Sequence, residues 1–159
     1  MKFIASANKV FGNENVGGFI NIDAEYLNYG SSNFNLTAYS DEEDDALYED
    51  ELNSEIEKTL SSVLNVRFGG ELALKRFRIR GGVAFDQSPF KHTSDYDPVK
   101  VVSGGLGYRG DNFYIDAACL LSTNSYGYSP YTATDQLRSP IVNIDKKLTK
   151  FTTTFGFKF

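Results

Sequence analysis

The ionisable residues with the most regular spacing in this 159-residue chain are Arg76, Arg78 and Arg80, which alternate with Phe77 and Ile79. In an extended strand successive side chains point to opposite faces, so the three guanidinium groups leave one side of the backbone and the apolar residues leave the other. Read with the same period, Arg67, Glu71, Asp86 and Asp116 join that charged side. A row of arginines alone could hold phosphates or nucleic acid. Interleaved with carboxylates it makes a polar wall instead. The expected role of Arg67, Glu71, Arg78, Arg80 and Asp86 is a structural charge ladder, with no nucleic-acid partner.

The remaining candidates for chemistry are weak. His92 is the only histidine, which removes His-centred triads and multi-His metal sites. Cys119 stands alone, on the apolar side of its segment with no base nearby, and reads as a small filler. The acidic run Asp41–Asp45 lacks the spaced ligands and central glycine of a calcium loop, and reads as solvated. The glycine pairs at 17–18, 69–70, 81–82 and 104–105 are not followed by the Lys-Ser/Thr of a phosphate loop; in mid-strand they mark bends or close approach. No catalytic, metal or cofactor residue is expected, no cofactor is implied, and the chain does not read as an enzyme.

Net charge is -5, but ten of the 21 acidic residues fall between Asp41 and Glu57, where no base occurs, so the rest of the chain is net basic. No run of about 18 apolar residues is present, which removes a membrane-spanning helix. No signal peptide precedes the first strand-like segment, so an exported protein is expected to be represented here by a piece of a longer chain.

Seven segments alternate as strands: Lys2–Val10, Gly18–Tyr29, Val63–Leu74, Arg76–Asp86, Val99–Arg109, Phe113–Thr123 and Leu148–Phe159. Most reach or exceed the ~10 residues that a tilted strand needs to cross a bilayer. Short turns are expected at 11–16, at Lys75-Arg76 and at Gly110-Asp111. Long loops are expected at 30–62, 87–98 and 124–147. Short turns on one rim and long loops on the other is the pattern of an up-and-down membrane barrel. The turns set a register in which Leu74 opposes Phe77, Leu72 opposes Ile79, Glu71 opposes Arg80 and Tyr108 opposes Phe113. In the acidic loop, Leu52, Ile56 and Leu60 recur at helical spacing and predict a short helix over Glu49–Leu60. The chain therefore reads as one all-β domain over 1–159, a meander of about seven long strands, with a single helix in its acidic loop.

The final segment places Phe151, Phe155, Phe157 and Phe159 on one face. A soluble protein avoids such an apolar edge, whereas a barrel in lipid uses it. That ending, together with Gly17–Tyr29, Leu64–Glu71 and Arg78–Phe85, resembles the C-terminal part of FadL/TodX-type outer-membrane transporters. It looks closest to the Bacteroidetes branch often labelled hemin receptors. The resemblance implies the C-terminal half of a larger barrel, of about fourteen strands. It also implies a bacterial outer-membrane location and passive uptake of hydrophobic compounds such as long-chain fatty acids or aromatic hydrocarbons. The family's hatch and main ligand loops precede the matching part, so no binding residue is carried over. Phe155, Phe157 and Phe159 match the family's assembly signal for the barrel-insertion machinery. The expected partners are outer-membrane lipid, that machinery, a hydrophobic small molecule, and either the missing N-terminal half of the barrel or a second copy.

Two alternatives stand beside this reading. One is a complete small outer-membrane barrel with a structural or adhesive role, needing an eighth strand at Ser139–Ile144 or Phe34–Tyr39. The other is a soluble lipocalin-like barrel, in which the apolar side would turn inwards.

Overall fold

The computed structural model describes residues 1–35, 43–91, 96–130 and 141–158, with the backbone alone for 43–46. Seven strands form one sheet: β1 (Lys2–Gly12), β2 (Val16–Asn28), β3 (Ser62–Leu74), β4 (Phe77–Asp86), β5 (Val99–Arg109), β6 (Phe113–Tyr128) and β7 (Val142–Phe157). Each pairs antiparallel with the next, in chain order. The sheet does not close; β1 and β7 are its two edges, as in part of a barrel. One helix, α1 (Glu43–Thr59), lies in the connection between β2 and β3.

The short connections share one rim. Between β1 and β2 the Asn13 side chain accepts hydrogen bonds from Asn15 N and Val16 N, each at 3.0 Å, and so builds the turn that the backbone needs. Lys75 and Arg76 form a two-residue turn in which Lys75 takes a left-handed φ of 52°, a conformation usually left to glycine or asparagine. Neighbouring turns are tied along the rim: Lys75 N donates to Asn15 O, Arg109 N to Arg76 O and Lys158 N to Asn112 O.

The β3–β4 register is the expected one, with Leu74 opposite Phe77, Leu72 opposite Ile79 and Glu71 opposite Arg80. The β5–β6 register is not. Tyr108 opposes Ile115, not Phe113, because the turn residues are Asp111 and Asn112, closed by Gly110 N donating to Phe113 O at 2.8 Å. Gly110 supplies space here rather than a turn conformation: a Cβ on it would sit 2.7 Å from the Phe113 ring.

The last loop is also shorter than expected. β6 runs on to Tyr128, and β7 begins at Val142, six residues before the predicted start. Ser125 opposes Asp145 and Tyr126 opposes Ile144, so residues 142–144 belong to β7 and not to an eighth strand. The other candidate for that strand, Phe34–Tyr39, lies almost wholly outside the described residues, as do His92 and Phe159; the side chains of Asp41–Asp45 lie outside them too.

Helix α1 begins at Glu43, six residues before the predicted start. Lys58 in its last turn suits the helix dipole. Its C-terminal end is fastened to the β4–β5 loop: Lys91 N donates to Thr59 O at 2.9 Å, the Lys91 ammonium donates to Glu57 O, and Leu60 bridges Phe90.

Burial along the sheet is inverted relative to a water-soluble domain. In β4 every apolar residue of the Phe77, Ile79, Val83, Phe85 row is exposed, while Arg78, Arg80 and Asp86 are half-buried. Among the described residues Val63 is the only buried apolar side chain, whereas Glu25 and Asn65 are buried. Across β3–β6 the sheltered, inner side carries the charged residues and the outer side the apolar rows, while at the β1 edge Ile4, Val10 and Phe19 share the charged side.

Candidate functional site

Cross-strand register builds each face. On the outer side β3 presents Leu64, Val66, Phe68, Leu72 and Leu74, and β4 answers with Phe85, Val83, Ile79 and Phe77. Leu106 is 64 % exposed and Phe151 77 %, so this wall has no protein covering it. Towards the short-turn rim the outer face turns aromatic. Phe77 meets Tyr108 edge-on at 5.4 Å, Tyr108 lies 5.8 Å from Phe113, and Phe113 opposes Phe157. Phe155 and Phe157 lie on this same exposed face.

The inner side holds two ion-pair networks. In the first, Glu25 accepts from Lys2 and, at 3.5 Å, from Arg67, whose Nη2 also reaches Asp86 at 3.1 Å. In the second, Glu71 receives Arg80 and, at 3.5 Å, Arg78; Arg80 continues to Asp116 at 2.8 Å, and Asp116 is shared with Arg109 at 3.0 Å. Every described carboxylate in these networks has a cationic partner, which a sheltered charge requires. Arg78 also donates to the Lys75 and Phe77 carbonyls, which locks it against the turn.

The five residues expected to form the ladder, Arg67, Glu71, Arg78, Arg80 and Asp86, thus lie on one face but divide between two networks. Arg76, aligned with them in sequence, is not in the wall. It sits in the turn and pairs with Asp111 at 2.8 Å and 3.0 Å. Its charge is held upwards from the ordinary arginine range by the Tyr108 hydroxyl first and by Asp111 next. Lys2, Glu25 and Arg109 are participants that strand-by-strand reading did not single out. The signal for Glu25 was its parity with Asp23 and Asn21, but its partner comes from a strand across a long loop.

Comparison with protein-family models, curated proteins and solved structures gives no match. The site is therefore read from its own chemistry. Among the described residues there is no group of three or more His, Cys, Asp or Glu that could hold a metal, and no helix long and apolar enough to cross a membrane. Cys119 is half-buried on the outer side, opposite Phe151.

Glycines decide how closely the inner charges can meet. Gly105 and Gly107 on β5 stand between Arg80 of β4 and Asp116 of β6. A Cβ at Gly107 would lie 3.2 Å from Arg78 Cβ and 3.4 Å from Arg109 Nη1, and would overlap the Asp116 carboxylate. At Gly156 it would run into the Tyr114 ring, which lies across β7 at that point. The Arg109 guanidinium covers Tyr114 from 4.9 Å, a cation–π contact that joins the ring to the charge network.

Proposed function

We propose that the sheet is part of the wall of a bacterial outer-membrane β-barrel that admits hydrophobic compounds, long-chain fatty acids or aromatic hydrocarbons, by passive diffusion. The observation that carries the reading is the inverted burial. β4 exposes its Phe77–Phe85 apolar row and half-buries Arg78, Arg80 and Asp86, and β6 exposes Phe113, Ile115 and Leu121 and half-buries Asp116. An uncovered apolar face of this size is costly in water and matched to lipid, and aromatics at one rim suit the bilayer interface. The lipocalin-like alternative needs the opposite arrangement, and the inverted burial weighs against it.

The open edges β1 and β7 support a partner sheet that completes the wall, since unpaired strand edges do not persist in hydrocarbon. The paired charges of the inner face then line or fill the lumen. They orient the wall and exclude lipid from its interior. Phe155 and Phe157, with Phe159, would serve the insertion machinery. The test is uptake of a fluorescent long-chain fatty acid by vesicles carrying the completed barrel. Faster uptake than in protein-free vesicles, lost when the lumen is blocked, supports the reading; rates equal to protein-free vesicles refute it.

A further inference from the structure

At the rim bearing the long loops, three aromatic side chains from separate segments stand in a row. Phe90 stacks on Tyr96 at 4.4 Å with 23° between the planes, and Tyr96 runs nearly parallel to Tyr126, at 6.4 Å and 9°. An isolated bridge between Tyr96 and Tyr126 fixes the row to β6, and Asp97 N donates to Ser125 O at 2.8 Å. Tyr96 and Asp97 border two hollows. One of about 610 Å³ extends over Ser62, Gln87, Ser88 and Phe90, and one of about 240 Å³ extends towards Asn143. The larger has the size of a small-molecule site.

The polar groups of the larger hollow are arranged as donors. Gln87 accepts from Leu64 N at 2.8 Å through its amide oxygen, which leaves its NH₂ free to donate. Ser62 Oγ accepts from the Tyr26 hydroxyl at 2.9 Å, leaving its own proton for a ligand. Among the described residues the Asp97 carboxylate has no partner, and it lines the same hollow as these donors. Hydroxyl-rich rings match this pattern: each ring hydroxyl can give to a carboxylate and accept from an amide or serine, and the C–H face lies on an aromatic. The charge nearby selects further. Lys91 lines the hollow with its ammonium turned to the Glu57 carbonyl, and helix α1 beside it carries Glu49, Asp50, Glu51, Glu55 and Glu57 against Lys58, a field that disfavours an anion.

We propose that this hollow, with Tyr96 as its platform and Asp97 as its acceptor, binds a neutral saccharide at the loop side of the wall. Its lining mixes Ser62, Gln87 and Asp97 with Phe90, Tyr96 and Pro98, a mixture that suits a hydroxylated ring better than an acyl chain. The ligand differs in class from the transported hydrophobe, and the site does not depend on transport.

The experiment is saturation-transfer NMR on the full chain in detergent micelles, with maltotriose and cellotriose as neutral probes and with glucuronic acid as an anionic one. At least one neutral trisaccharide should bind at millimolar concentration or below. Tyr96→Ala and the shape-conserving Asp97→Asn should each weaken it about tenfold, with the β-sheet circular dichroism unchanged for Asp97→Asn. The proposal is overturned if neither trisaccharide binds, if glucuronic acid binds more tightly than both, or if Asp97→Asn leaves the affinity unchanged.

Discussion

Arg80 and Asp116 belong to strands that are not neighbours, yet their side chains meet at 2.8 Å across the intervening β5. The contact is possible because β5 offers Gly105 opposite Arg80 and Gly107 opposite Asp116, and neither places a side chain on the inner surface. Glycine weakens a strand when considered alone. Here it lets a charged pair reach across one strand and tie three together.

Gly107→Ala should therefore disrupt the second network. The added methyl overlaps Asp116 and crowds Arg78 and Arg109. We expect a loss of about 1–3 kcal/mol, measured by urea unfolding from lipid vesicles. Gly104→Ala, on the outer side where the nearest non-neighbouring atom would be 3.9 Å away, should change stability by less than about 0.5 kcal/mol.

A double-mutant cycle of Arg80→Met and Asp116→Asn should give a coupling of about 0.5–3 kcal/mol. Additive effects would mean that the pair contributes nothing beyond its separate surroundings. Asp116→Asn alone should cost more than Arg80→Met, because it leaves two guanidinium groups, Arg80 and Arg109, without their shared carboxylate.

Gly156→Ala should displace Tyr114 from β7 and with it the Arg109 contact. The chain has no tryptophan, so near-ultraviolet circular dichroism reports its tyrosines and phenylalanines; loss of a tyrosine band, with the far-ultraviolet signal kept, is the expected result.

In the turn, Arg76 has its charge held upwards by Tyr108 and then by Asp111. A group whose pKa rises on folding contributes fully below its unfolded pKa and loses that contribution as pH climbs through its folded one. For an arginine both lie in strong alkali. The stability difference between the wild type and Arg76→Ala should thus stay constant from neutral to mildly alkaline pH and shrink with added salt, as measured by unfolding midpoints.

The strands and the two faces were legible in the sequence because a period of two needs only local information. Leu64–Leu74 and Phe77–Phe85 declare their apolar side without a partner. The tight turn at Lys75-Arg76 then fixed the register of β3 on β4 by counting alone. Three features escaped for one reason: each depends on contacts far apart in sequence. Glu25 meets Arg67 across the long β2–β3 connection. Asp116 meets Arg80 over a glycine strand. The outward growth of the β6–β7 hairpin rests on Tyr126 and Ile144 finding each other. The turn after β5 lies one residue beyond the expected Gly110-Asp111 because Gly110 pairs with Phe113 and lies beneath its ring, a contact that no turn signal carries. The aromatic row of Phe90, Tyr96 and Tyr126 gave no sequence signal, since its members come from a loop and a strand extension.

Leu106→Arg separates a lipid-facing wall from a solvated one. Leu106 is on the outer face, two residues from the centre of β5. In a bilayer the arginine should cost about 2–4 kcal/mol and depress insertion into vesicles. In a water-exposed sheet it would be neutral or improve solubility.

The most direct measurement of the central claim is nitroxide accessibility in lipid vesicles, in a Cys119→Ser background. Labels are placed singly at Ile79, Val83, Val102 and Leu106 and at Gly82, Ala84 and Ser103. The account predicts that the first four collide preferentially with oxygen dissolved in lipid, that the last three collide with a water-soluble nickel chelate or with neither reagent, and that the two classes alternate along β4 and β5. Outer-face labels reached by the nickel chelate as readily as inner-face ones, or protein that stays in the aqueous phase, would contradict it.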